Sequence, residues 1–571
     1  MALIASSPLA TAKDKTVELC ILETSDVHGS FFPYDFINRT PCKGSLARLS
    51  TYVKRERERF GDNLLLLDNG DILQGQPTVY YYNFIDTAAT HVTAAMMNYL
   101  RYDAGNMGNH DMETGHAVYD RWIRQCNFPI LGANIIDTTS GKPYLPPYSV
   151  FNRDGVKVAV IGLLTPSIPA WLPENLWAGL RFDDIEESAR KWVKTVREKE
   201  NPDVVVAIIH SGRDHTHTTG NWVENASQLV AERVPGIDIV LFGHDHQFFC
   251  DSVKNADGNE VWMLNPANKA EKVASAHVSL TLRKGKVVKK EISGRLVDIS
   301  ALPVDEDFMA EFKPQYDTVD KFVSQKIGSI SKTISTRNAF FGPSEFIDLT
   351  HSLQLAISGA EVSMAAPLSF DSSIKEGDIL VSDMFKLYKY ENMLYTMRLS
   401  GREIKNYLEM SYYLWTNRMT NADDHLLLLK EVPGNGDDGA RALFQNFSYN
   451  FDSAAGIRYT VDVTKPRGEK INILSMADGS AFDMDKDYSV AVNSYRGNGG
   501  GGLLTEGAGI PVEKLNDRII KATDKDLRFY LMEYIKKTGA ICPTTLDQWK
   551  FIPEEWTVPA AKRDYKLLFK D

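Results

Sequence analysis

The first half of the chain repeats one pattern, in which a short apolar run is followed by a polar motif and then by an amphipathic segment. The apolar runs are rich in Val, Ile and Leu and have the length of strands buried on both faces. They lie at 17–22, 64–67, 158–164, 204–209 and 237–242. Amphipathic segments between them, including 44–60 and 185–200, predict helices. The pattern therefore predicts an α/β fold with a buried sheet.

The length of 571 residues exceeds what one hydrophobic core usually organises, so more than one domain is expected. Residues 305–325 have helical periodicity and charged faces. From about residue 341 the sequence pattern changes, and predicted helices mix with strand-like runs. The predicted helices are 349–358, 381–388 and 401–415, and the predicted strands include 395–399 and 488–492. We expect an α/β domain at 16–304, a linker helix at 305–340 and a second domain at 341–571.

Composition excludes several classes of protein. The hydrophobic fraction of 43% and charged fraction of 24% are ordinary for soluble chains, and no apolar stretch reaches the ~20 residues of a membrane span. The net charge of −11 disfavours long polyanions such as duplex DNA. The five cysteines show no C-x-x-C spacing, so neither a thiolate zinc site nor a disulfide framework is indicated. A small anion held by metal ions remains compatible with this composition, and we expect a monomer.

The first fifteen residues allow two interpretations. They are small and apolar up to Ala12, and Ala10-Thr11-Ala12 resembles a signal-peptidase site. A basic n-region and a full apolar h-region are missing, however. Residues 1–15 are therefore either a signal-peptide remnant of a periplasmic or secreted protein or a disordered start of the chain.

Five polar motifs carry the chemistry, and four of them closely follow a predicted strand. In an open α/β sheet the carboxyl ends of the strands share one edge, so these loops are expected to converge on one cleft. Carboxylates, an amide and several imidazoles would meet there, and this mixture suits Zn, Mn, Fe, Ni or Co better than Mg or Ca. The four motifs are Asp26-Val27-His28-Gly29, Asp68-Asn69-Gly70-Asp71, His210-Ser211-Gly212 and Gly243-His244-Asp245-His246, and the fifth is Gly108-Asn109-His110-Asp111.

These motifs, in this order, resemble the metallophosphoesterase domain of the 5'-nucleotidase family, over roughly 17–300. The resemblance implies a four-layer calcineurin-like fold and two divalent metal ions, between which Asp71 would be the bridge. Two such ions activate a water molecule as the nucleophile for phosphate ester hydrolysis. The implied ligands of the first ion are Asp26, His28, Asp71 and His246, and those of the second are Asp71, Asn109, His210 and His244.

The resemblance leaves His110 without a metal role and implies that it faces the phosphate. It would stabilise the transition state or protonate the leaving alkoxide, which needs such a donor. Family members often place an aspartate three positions later to hold this histidine cationic, and here that position is Glu113. The longer Glu113 side chain is expected to reach the imidazole. The adjacent Asp111 is expected only to accept hydrogen bonds from backbone groups. His215 and His217 are predicted to form a polar loop beside the cleft.

The second half resembles the C-terminal substrate-binding domain of the same family, an α/β domain that clamps a base between two aromatic rings. The match runs from about 331 to 527 and rests on Tyr449-Asn450-Phe451-Asp452 and on the glycine-rich stretch 493–502. It implies that Phe451 and Tyr495 stack on the base. Further implied substrate contacts are Arg496, Gly499, Gly500 and the Asn109 amide.

Two departures from 5'-nucleotidases bear on the substrate. Gly501 stands where those enzymes have an aspartate that binds free ribose hydroxyls. Those enzymes also have an arginine after the glycine-rich strand, and the corresponding residues 362–367 of this chain contain no arginine. Both absences fit a nucleotide whose 2' or 3' oxygen carries the phosphate. We therefore expect the bifunctional 2',3'-cyclic-nucleotide 2'-phosphodiesterase/3'-nucleotidase branch. The alternatives are a 5'-nucleotidase of broad specificity and a non-catalytic nucleotide- or surface-binding module with structural metals.

Overall fold

The computed structural model describes residues 14–214, 218–219, 222–432 and 441–569. The predicted leader, apart from residues 14 and 15, and the predicted polar loop at His215 and His217 lie outside the described residues. The chain divides into two compact units. One comprises Met1–Ile168 and Glu174–Val319, and the other comprises Pro169–Pro173 and Asp320–Asp571. We call them the N-terminal and the C-terminal unit.

The N-terminal unit contains two six-stranded sheets. Each sheet has a parallel centre and antiparallel strands at an edge. In spatial order the first sheet consists of Lys286–Asp298, Lys272–Arg283, Lys15–Thr24, Leu64–Asp68, Ala104–Asn106 and Ile130–Leu131. The second consists of Phe248–Lys254, Glu260–Pro266, Ile239–Phe242, Val204–His210, Val156–Leu164 and Tyr148–Arg153.

The two sheets pack face to face and carry helices on their outer sides. One buried cluster joins side chains of both sheets, such as Leu65 and Val206, so the sheets share a core. The Leu46–Phe60 helix contacts the first sheet, whereas Ile185–Lys199 and Ser227–Arg233 cover the second. This helix–sheet–sheet–helix arrangement confirms the predicted four-layer architecture.

The five strands predicted in the first half all occur. They extend the predicted runs by one or two residues at half of the ends, and Ile239–Phe242 begins two residues later than predicted. The fifth polar motif also follows a strand, Ala104–Asn106, which the sequence did not reveal. Its residues, Ala, Gly and Asn, include no β-branched or aromatic side chain, so propensity gives no strand signal. All five motifs therefore follow strands of the two sheets.

The C-terminal unit is built on one five-stranded sheet and two three-stranded sheets. The larger sheet has the order Ser453–Ala455, Val362–Ala365, Asp487–Asn493, Met393–Ser400 and Ile519–Asp526. The Gly401–Trp415 helix has a Ser400 cap paired with Glu403, and its buried face contributes to the core. The smaller sheets contain Ile471–Met476, Ile457–Asp462 and Trp549–Ile552, and Gly377–Leu380, Lys326–Ile330 and Ala540–Ile541. Other helices are Glu345–Ser358, Val381–Leu387, Leu527–Thr538 and Glu554–Leu568.

The predicted linker differs in detail from the structure. It begins with two helices, Glu306–Glu311 and Lys313–Val323, separated near Phe312. It then continues into the strands Lys326–Ile330 and Ile334–Ser335. The unit boundary falls at residues 319 and 320, inside the second helix. The segment 305–340 is therefore helical at its beginning and in a short 3-10 helix at its end, Thr336–Phe340, with two strands between.

No helix among the described residues combines the length and the apolar character needed to cross a bilayer. The periplasmic or secreted location stays a prediction, as does the monomeric state.

Candidate metal centre

Six of the seven predicted metal ligands lie in loops or at strand ends on one edge of the two sheets, and Asn109 begins the short helix Asn109–Met112. Five of them, Asp26, His28, Asp71, His244 and His246, have left-handed backbone with φ between 49° and 75°. Non-glycine residues rarely adopt this conformation, and it persists only where the surrounding structure holds it in place. Backbone strain of this kind is concentrated at functional sites. In these loops the surrounding structure, and not the local conformational preference of the residues, maintains the backbone shape.

The ligand atoms form two groups. In the first group, His246 Nε2 lies 3.2 Å from Asp26 Oδ1 and 3.1 Å from His28 Nε2. The second group contains Asp71, His210 and His244.

Asn109 joins the second group. Its Oδ1 lies 3.0 Å from His210 Nε2 and 2.8 Å from His244 Nδ1, and His210 Nε2 is also 3.1 Å from Asp71 Oδ2. The structure thus brings all seven predicted ligands together in two adjacent groups.

Backbone carbonyls orient two of the imidazoles. His28 Nδ1 lies 3.2 Å from Gln74 O, and His210 Nδ1 lies 2.7 Å from Asn69 O. A ring nitrogen that donates its proton to a carbonyl leaves the other nitrogen with a lone pair. In both residues that other nitrogen is Nε2, the atom that faces the neighbouring carboxylate or imidazole. This arrangement is the one that metal-binding histidines adopt.

The donor set fits divalent cations. Asp26 Oδ2 accepts hydrogen bonds from Ser25 Oγ at 2.5 Å and from His244 N at 3.0 Å. Asp26 Oδ1 is buried and accepts no hydrogen bond of good geometry, although His246 Nε2 lies 3.2 Å away and buried carboxylate oxygens are normally paired. A cation would satisfy this oxygen. Imidazole, amide and carboxylate donors together favour transition-metal ions over Ca²⁺.

The surroundings shift the pKa values of two of these histidines in opposite directions. Burial, together with the nearby His246, lowers the pKa of His28 to about 3, so that its imidazole is neutral and available as a ligand. Burial alone would lower the pKa of His210, but the adjacent Asp71 carboxylate raises it to about 10. A metal ion competes with a proton for the nitrogen of His210, because only neutral imidazole binds metal.

His110 lies beside both groups. Its backbone N–H donates to Asp71 Oδ1 at 2.7 Å, and its ring centroid is 5.5 Å from that of His28. Glu113 Oε2 lies 2.6 Å from His110 Nδ1, so the longer carboxylate does reach the imidazole. Glu113 is almost fully buried, whereas the His110 ring is partly exposed. The His110 imidazole is thus hydrogen-bonded to Glu113 through Nδ1, and part of its ring is accessible to solvent.

Asp111 has a different role from its neighbour. Its carboxylate accepts four backbone hydrogen bonds of 2.8 to 2.9 Å, from Gly108, Asp71, Ile72 and Leu73. It therefore fixes the two ligand-bearing loops to each other, as expected for a residue that satisfies backbone.

Glu224, which no sequence motif indicated, contacts the second group. Its Oε1 lies 3.1 Å from His244 Nε2, on the side of the ring opposite to Asn109. A carboxylate in this position accepts the Nε2 proton and leaves the Nδ1 lone pair for a cation. Glu224 is twenty positions before His244 and belongs to none of the polar motifs, so no spacing signal pointed to it.

In the C-terminal unit the stacking prediction for Phe451 is wrong. Its ring is fully buried, lies parallel to Trp415 at 5.5 Å and meets the edge of Phe444 at 5.3 Å. A ring sandwiched in the core offers no face to a ligand. An aromatic residue beside Asp452 was the sequence signal, but contacts with Trp415 and Phe444 turn the Phe451 ring into the core.

The predicted substrate contact of Arg496 is also wrong. Its side chain is almost fully buried, and its guanidinium makes five hydrogen bonds to protein oxygens; the acceptors are Asp452 Oδ1 and Oδ2, Asn450 Oδ1, Gly500 O and Tyr449 O. A guanidinium has five N–H donors, so none remains for a substrate. Arg496 instead fastens the stretch around Asn450 to the glycine-rich loop.

Two aromatic rings of these stretches are not buried in the core. Tyr495 and Tyr449 are half-buried, with ring centroids 6.3 Å apart and planes at 88°. On its other side Tyr449 lies parallel to the exposed ring of Phe447 at 5.2 Å. Gly500 packs on the Tyr495 ring, where a Cβ atom would collide with it, and Gly499 has a left-handed φ of 105°. Tyr449 belongs to the motif on which the resemblance rests, but the stacking role was predicted for Phe451, two positions later.

Comparison with known proteins agrees with this geometry. Residues 20–248 match the calcineurin-like phosphoesterase family, and residues 326–506 match the 5'-nucleotidase C-terminal domain. The chain therefore combines a calcineurin-like phosphoesterase domain with a 5'-nucleotidase C-terminal domain. This confirms the resemblance and the two-domain fold class. The calcineurin-like fold implies hydrolysis of phosphoric esters with divalent metal ions.

Several relatives, including the following two, match nearly the whole chain. The chain is 28% identical to the trifunctional nucleotide phosphoesterase protein YfkN of Bacillus subtilis over 98% of its own length, but it spans 40% of that longer protein. It is also 28% identical to the 2',3'-cyclic-nucleotide 2'-phosphodiesterase/3'-nucleotidase of Salmonella typhimurium, covering 96% of this chain and 91% of that one.

A solved structure has the same fold across both domains. It is a putative 5'-nucleotidase from Staphylococcus aureus, with a TM-score of 0.75 and 21% identity, and the match covers 94% of this chain and 99% of that one.

Proposed function

We propose that this protein is a metal-dependent hydrolase that opens 2',3'-cyclic nucleotides and dephosphorylates 3'-nucleotides to nucleoside and phosphate. The observation that carries the proposal is the pair of ligand groups, Asp26, His28 and His246 beside Asp71, His210 and His244, with His110 next to both. These residues belong to a calcineurin-like phosphoesterase domain.

Each group would hold one divalent ion. Asp26, His28 and His246 would hold the first, and Asn109, His210 and His244 the second, with Asp71 able to serve both through its two oxygens. When bound, such ions polarise the phosphoryl oxygens and lower the pKa of water, which supplies the Lewis-acid part of the chemistry. The hydrogen bonds from the imidazoles to Gln74 O, Asn69 O and Glu224 would keep the rings in place for this purpose.

His110 would donate a proton to the leaving group. In its protonated form the imidazolium is held by Glu113 at 2.6 Å and stabilises negative charge on the phosphoryl group. It donates its proton to the ester oxygen as that oxygen leaves phosphorus, because an alkoxide is a poor leaving group. The Glu113 carboxylate keeps the ring oriented throughout.

The two hydrolyses use the same groups in succession. In the first, the oxygen of water is added to phosphorus, the bond to the 2' oxygen breaks, and that oxygen takes a proton, which gives a 3'-nucleotide. In the second, water is added again, the bond to the 3' oxygen breaks, and nucleoside and inorganic phosphate are released. Each reaction consumes one water and needs no other co-reactant.

Tyr449 and Tyr495 would hold the base. Both rings are half-buried and lie on stretches that Arg496 fastens together. Stacking of a base on such rings contributes about 1 to 3 kcal/mol and tolerates any base. The Phe447 ring supports the far face of Tyr449.

Two features favour the cyclic and 3' substrates over 5'-nucleotides. Gly501 provides no carboxylate for free 2' and 3' hydroxyls, and a side chain there would collide with Asn450 and Arg496. The Salmonella relative, which matches almost end to end, is named for the same pair of activities.

The test measures phosphate and nucleoside release from 2',3'-cyclic AMP, 3'-AMP and 5'-AMP by the Mn²⁺-loaded protein. The expected result is that kcat/KM for the first two exceeds that for 5'-AMP at least tenfold, and that Asp71→Asn abolishes all turnover. A preference for 5'-AMP would instead identify a 5'-nucleotidase. A protein inert towards bis(p-nitrophenyl) phosphate as well would be a binding module rather than an enzyme.

A further inference from the structure

A completely buried arginine of the C-terminal unit has no part in the site described above. Arg528 is the second residue of the Leu527–Thr538 helix, and its side chain is inaccessible to solvent. The amino end of a helix disfavours positive charge, and burial of a guanidinium is costly unless its donors are paired. Local preference therefore does not explain an arginine at this position, and the explanation lies in its contacts.

The start of this helix lies against a loop that belongs to no helix or strand. The loop consists of residues 388–392, between the Val381–Leu387 helix and the Met393–Ser400 strand, and we call it the connecting loop. Leu527 N donates to Asn392 O, at the end of this loop, at 2.8 Å.

The guanidinium of Arg528 holds the rest of the connecting loop. Its Nε donates to Tyr388 O at 3.1 Å, and its Nη2 donates to Lys389 O at 2.7 Å. Its Nη1 donates to Glu391 Oε1 at 2.9 Å, in an ion pair whose two side chains are both buried. The guanidinium carbon also lies 4.0 Å from the centroid of the Phe385 ring. One planar fork of donors thus binds the loop at three points, which a single ammonium group cannot reproduce.

The connecting loop lies at the same end of the large C-terminal sheet as Tyr495. Two neighbouring antiparallel strands of that sheet carry Leu394 and Asn493 opposite each other. The chain therefore enters the first strand from the connecting loop at the end where it leaves the second strand towards Tyr495. At this point Met393 N donates to Ser494 Oγ at 3.1 Å, so the two segments are hydrogen-bonded to each other.

The buried ion pair of Arg528 and Glu391 suits conformational control better than it suits stabilisation. The attraction between two buried charges is largely offset by the cost of removing both from water. The best-attested use of such polar groups is to select one arrangement among several. Here the arrangement that is selected is that of the connecting loop.

We propose that Arg528 is a positioning residue for nucleotide binding, which holds the connecting loop against the segment that carries Tyr495 and thereby fixes the place of the Tyr495 ring. The inference rests on the proposed function, in which Tyr495 stacks on the base. Arg528 itself is buried and acts on the substrate only through this loop. Its role complements that of Arg496, which holds the glycine-rich loop after Tyr495 through Gly500 O.

The first test is the variant Arg528→Met, which keeps an apolar side chain of similar length against Phe385 and removes every donor. Stacking binds the ground state and the transition state alike, so its loss raises KM and spares kcat. We expect KM for 2',3'-cyclic AMP and 3'-AMP to rise about tenfold in the Mn²⁺-loaded full chain, with kcat unchanged within about twofold. Glycerol 2-phosphate, which has no base, should keep its KM within about twofold.

These readouts separate positioning from a merely structural role. A variant that is only less stable contains less active enzyme, which lowers the apparent kcat for every substrate and leaves KM unchanged. Adenosine binding, measured by calorimetry on the metal-free protein, should weaken by the same factor as KM rises, because adenosine contains the base and lacks the phosphate.

A second variant keeps the test decisive if Arg528→Met does not fold. Arg528→Lys retains the buried positive charge beside Glu391 but replaces the planar fork by one ammonium group. The same two readouts should change in the same direction as in Arg528→Met, by a smaller factor.

The matched control is Arg402→Met. Arg402 is also the second residue of a helix, Gly401–Trp415, but its side chain is exposed and pairs with the exposed Asp485. All constants should equal those of wild type.

The proposal is overturned if nucleotide KM and adenosine affinity are unchanged in the folded Arg528 variants, or if KM for glycerol 2-phosphate rises by the same factor as that for nucleotides. If wild type cleaves only 5'-AMP, and the Arg528 variants raise KM for that substrate and weaken adenosine binding, the proposed function fails and the positioning role stands.

Discussion

At the scale of single residues, the least visible contribution to the metal centre is that of Glu224. Its carboxylate contacts the outer nitrogen of His244 and is not itself a proposed ligand, so its replacement leaves every proposed ligand in place. We expect Glu224→Gln to lower the affinity for the second ion about 10- to 100-fold, because an outer carboxylate fixes the tautomer and raises the basicity of its histidine.

Metal titration against a chromophoric chelator measures this affinity directly, and turnover should recover when excess metal is added. Glu198→Gln is the control, since Glu198 is an exposed glutamate whose carboxylate pairs only weakly with Lys194. Equal affinities for wild type and Glu224→Gln would show that Glu224 does not orient His244.

Two aromatic residues separated by one position have opposite expected roles. Phe451→Ala removes a ring from the core beside Trp415 and should lower the free energy of unfolding by about 3 to 5 kcal/mol. Tyr449→Ala removes a half-buried ring and should raise KM for nucleotides by about 5- to 150-fold, the equivalent of about 1 to 3 kcal/mol of stacking.

Urea unfolding and steady-state kinetics separate the two effects, with glycerol 2-phosphate as a substrate that has no base. The assignment of the clamp fails if Tyr449→Ala leaves nucleotide KM unchanged, or if it raises KM for glycerol 2-phosphate to the same extent.

At the scale of elements, the Glu345–Ser358 helix is joined to the large sheet of the C-terminal unit by a buried histidine. His351 Nδ1 and Nε2 each lie 3.0 Å from a serine hydroxyl, of Ser363 and Ser453. Burial lowers the pKa of His351 from 6.5 to about 3. Below pH 6.5 the unfolded chain therefore takes up a proton that the folded chain refuses, and stability falls as the pH is lowered towards 3.

The expected loss from His351 is about 2 kcal/mol between pH 6.5 and pH 5, at 1.36 kcal/mol per pH unit. Because carboxylates titrate in acid as well, the informative quantity is the difference in pH slope between wild type and His351→Asn, measured by urea unfolding. The variant should lose up to one proton of linkage. Identical slopes would mean that the folded protein protonates this ring.

The glycine-rich loop has little room for the residue found in 5'-nucleotidases. Gly501 and Gly502 share a left-handed φ of 72°, yet only Gly501 faces Asn450 and the fully hydrogen-bonded Arg496. Gly501→Asn should therefore cost about 2 kcal/mol of stability. The matched variant Gly502→Asn should cost less, because its Cβ has no neighbour closer than 3.4 Å. Thermal unfolding compares the two, and equal losses would show that backbone strain alone excludes a side chain.

The sequence predicted correctly those elements whose signal is local, and it failed for those that depend on contacts between distant residues. The buried strands of the N-terminal unit are continuous apolar runs, and the Gly401–Trp415 helix has a cap and a periodic face, so local pattern was sufficient. Strand Ala104–Asn106 has no such pattern and is held by pairing with its neighbours. Phe451, Arg496 and Glu224 depend on contacts with residues distant in sequence, which one sequence does not reveal.

At the scale of the whole molecule, the chain has two units with separate hydrophobic cores, and all proposed ligands of the ions belong to the N-terminal unit. A ligand that binds the folded state stabilises it by about 4 kcal/mol at a thousandfold excess over its dissociation constant. That stabilisation should be confined to the N-terminal unit, and it should be largest in the loops where Asp26, His28, Asp71, His244 and His246 have left-handed backbone.

Hydrogen–deuterium exchange with and without Mn²⁺ tests this distribution, because it reports protection for each peptide. Peptides covering 25–29, 69–72 and 243–246 should exchange more slowly with metal, whereas peptides of the large C-terminal sheet should not change. Asp71→Asn is the control and should remove most of the protection, since its carboxylate is the one placed to serve both ions. Uniform protection of both units would mean that metal acts on the whole chain, and no protection in the three loops would mean that the ions bind elsewhere.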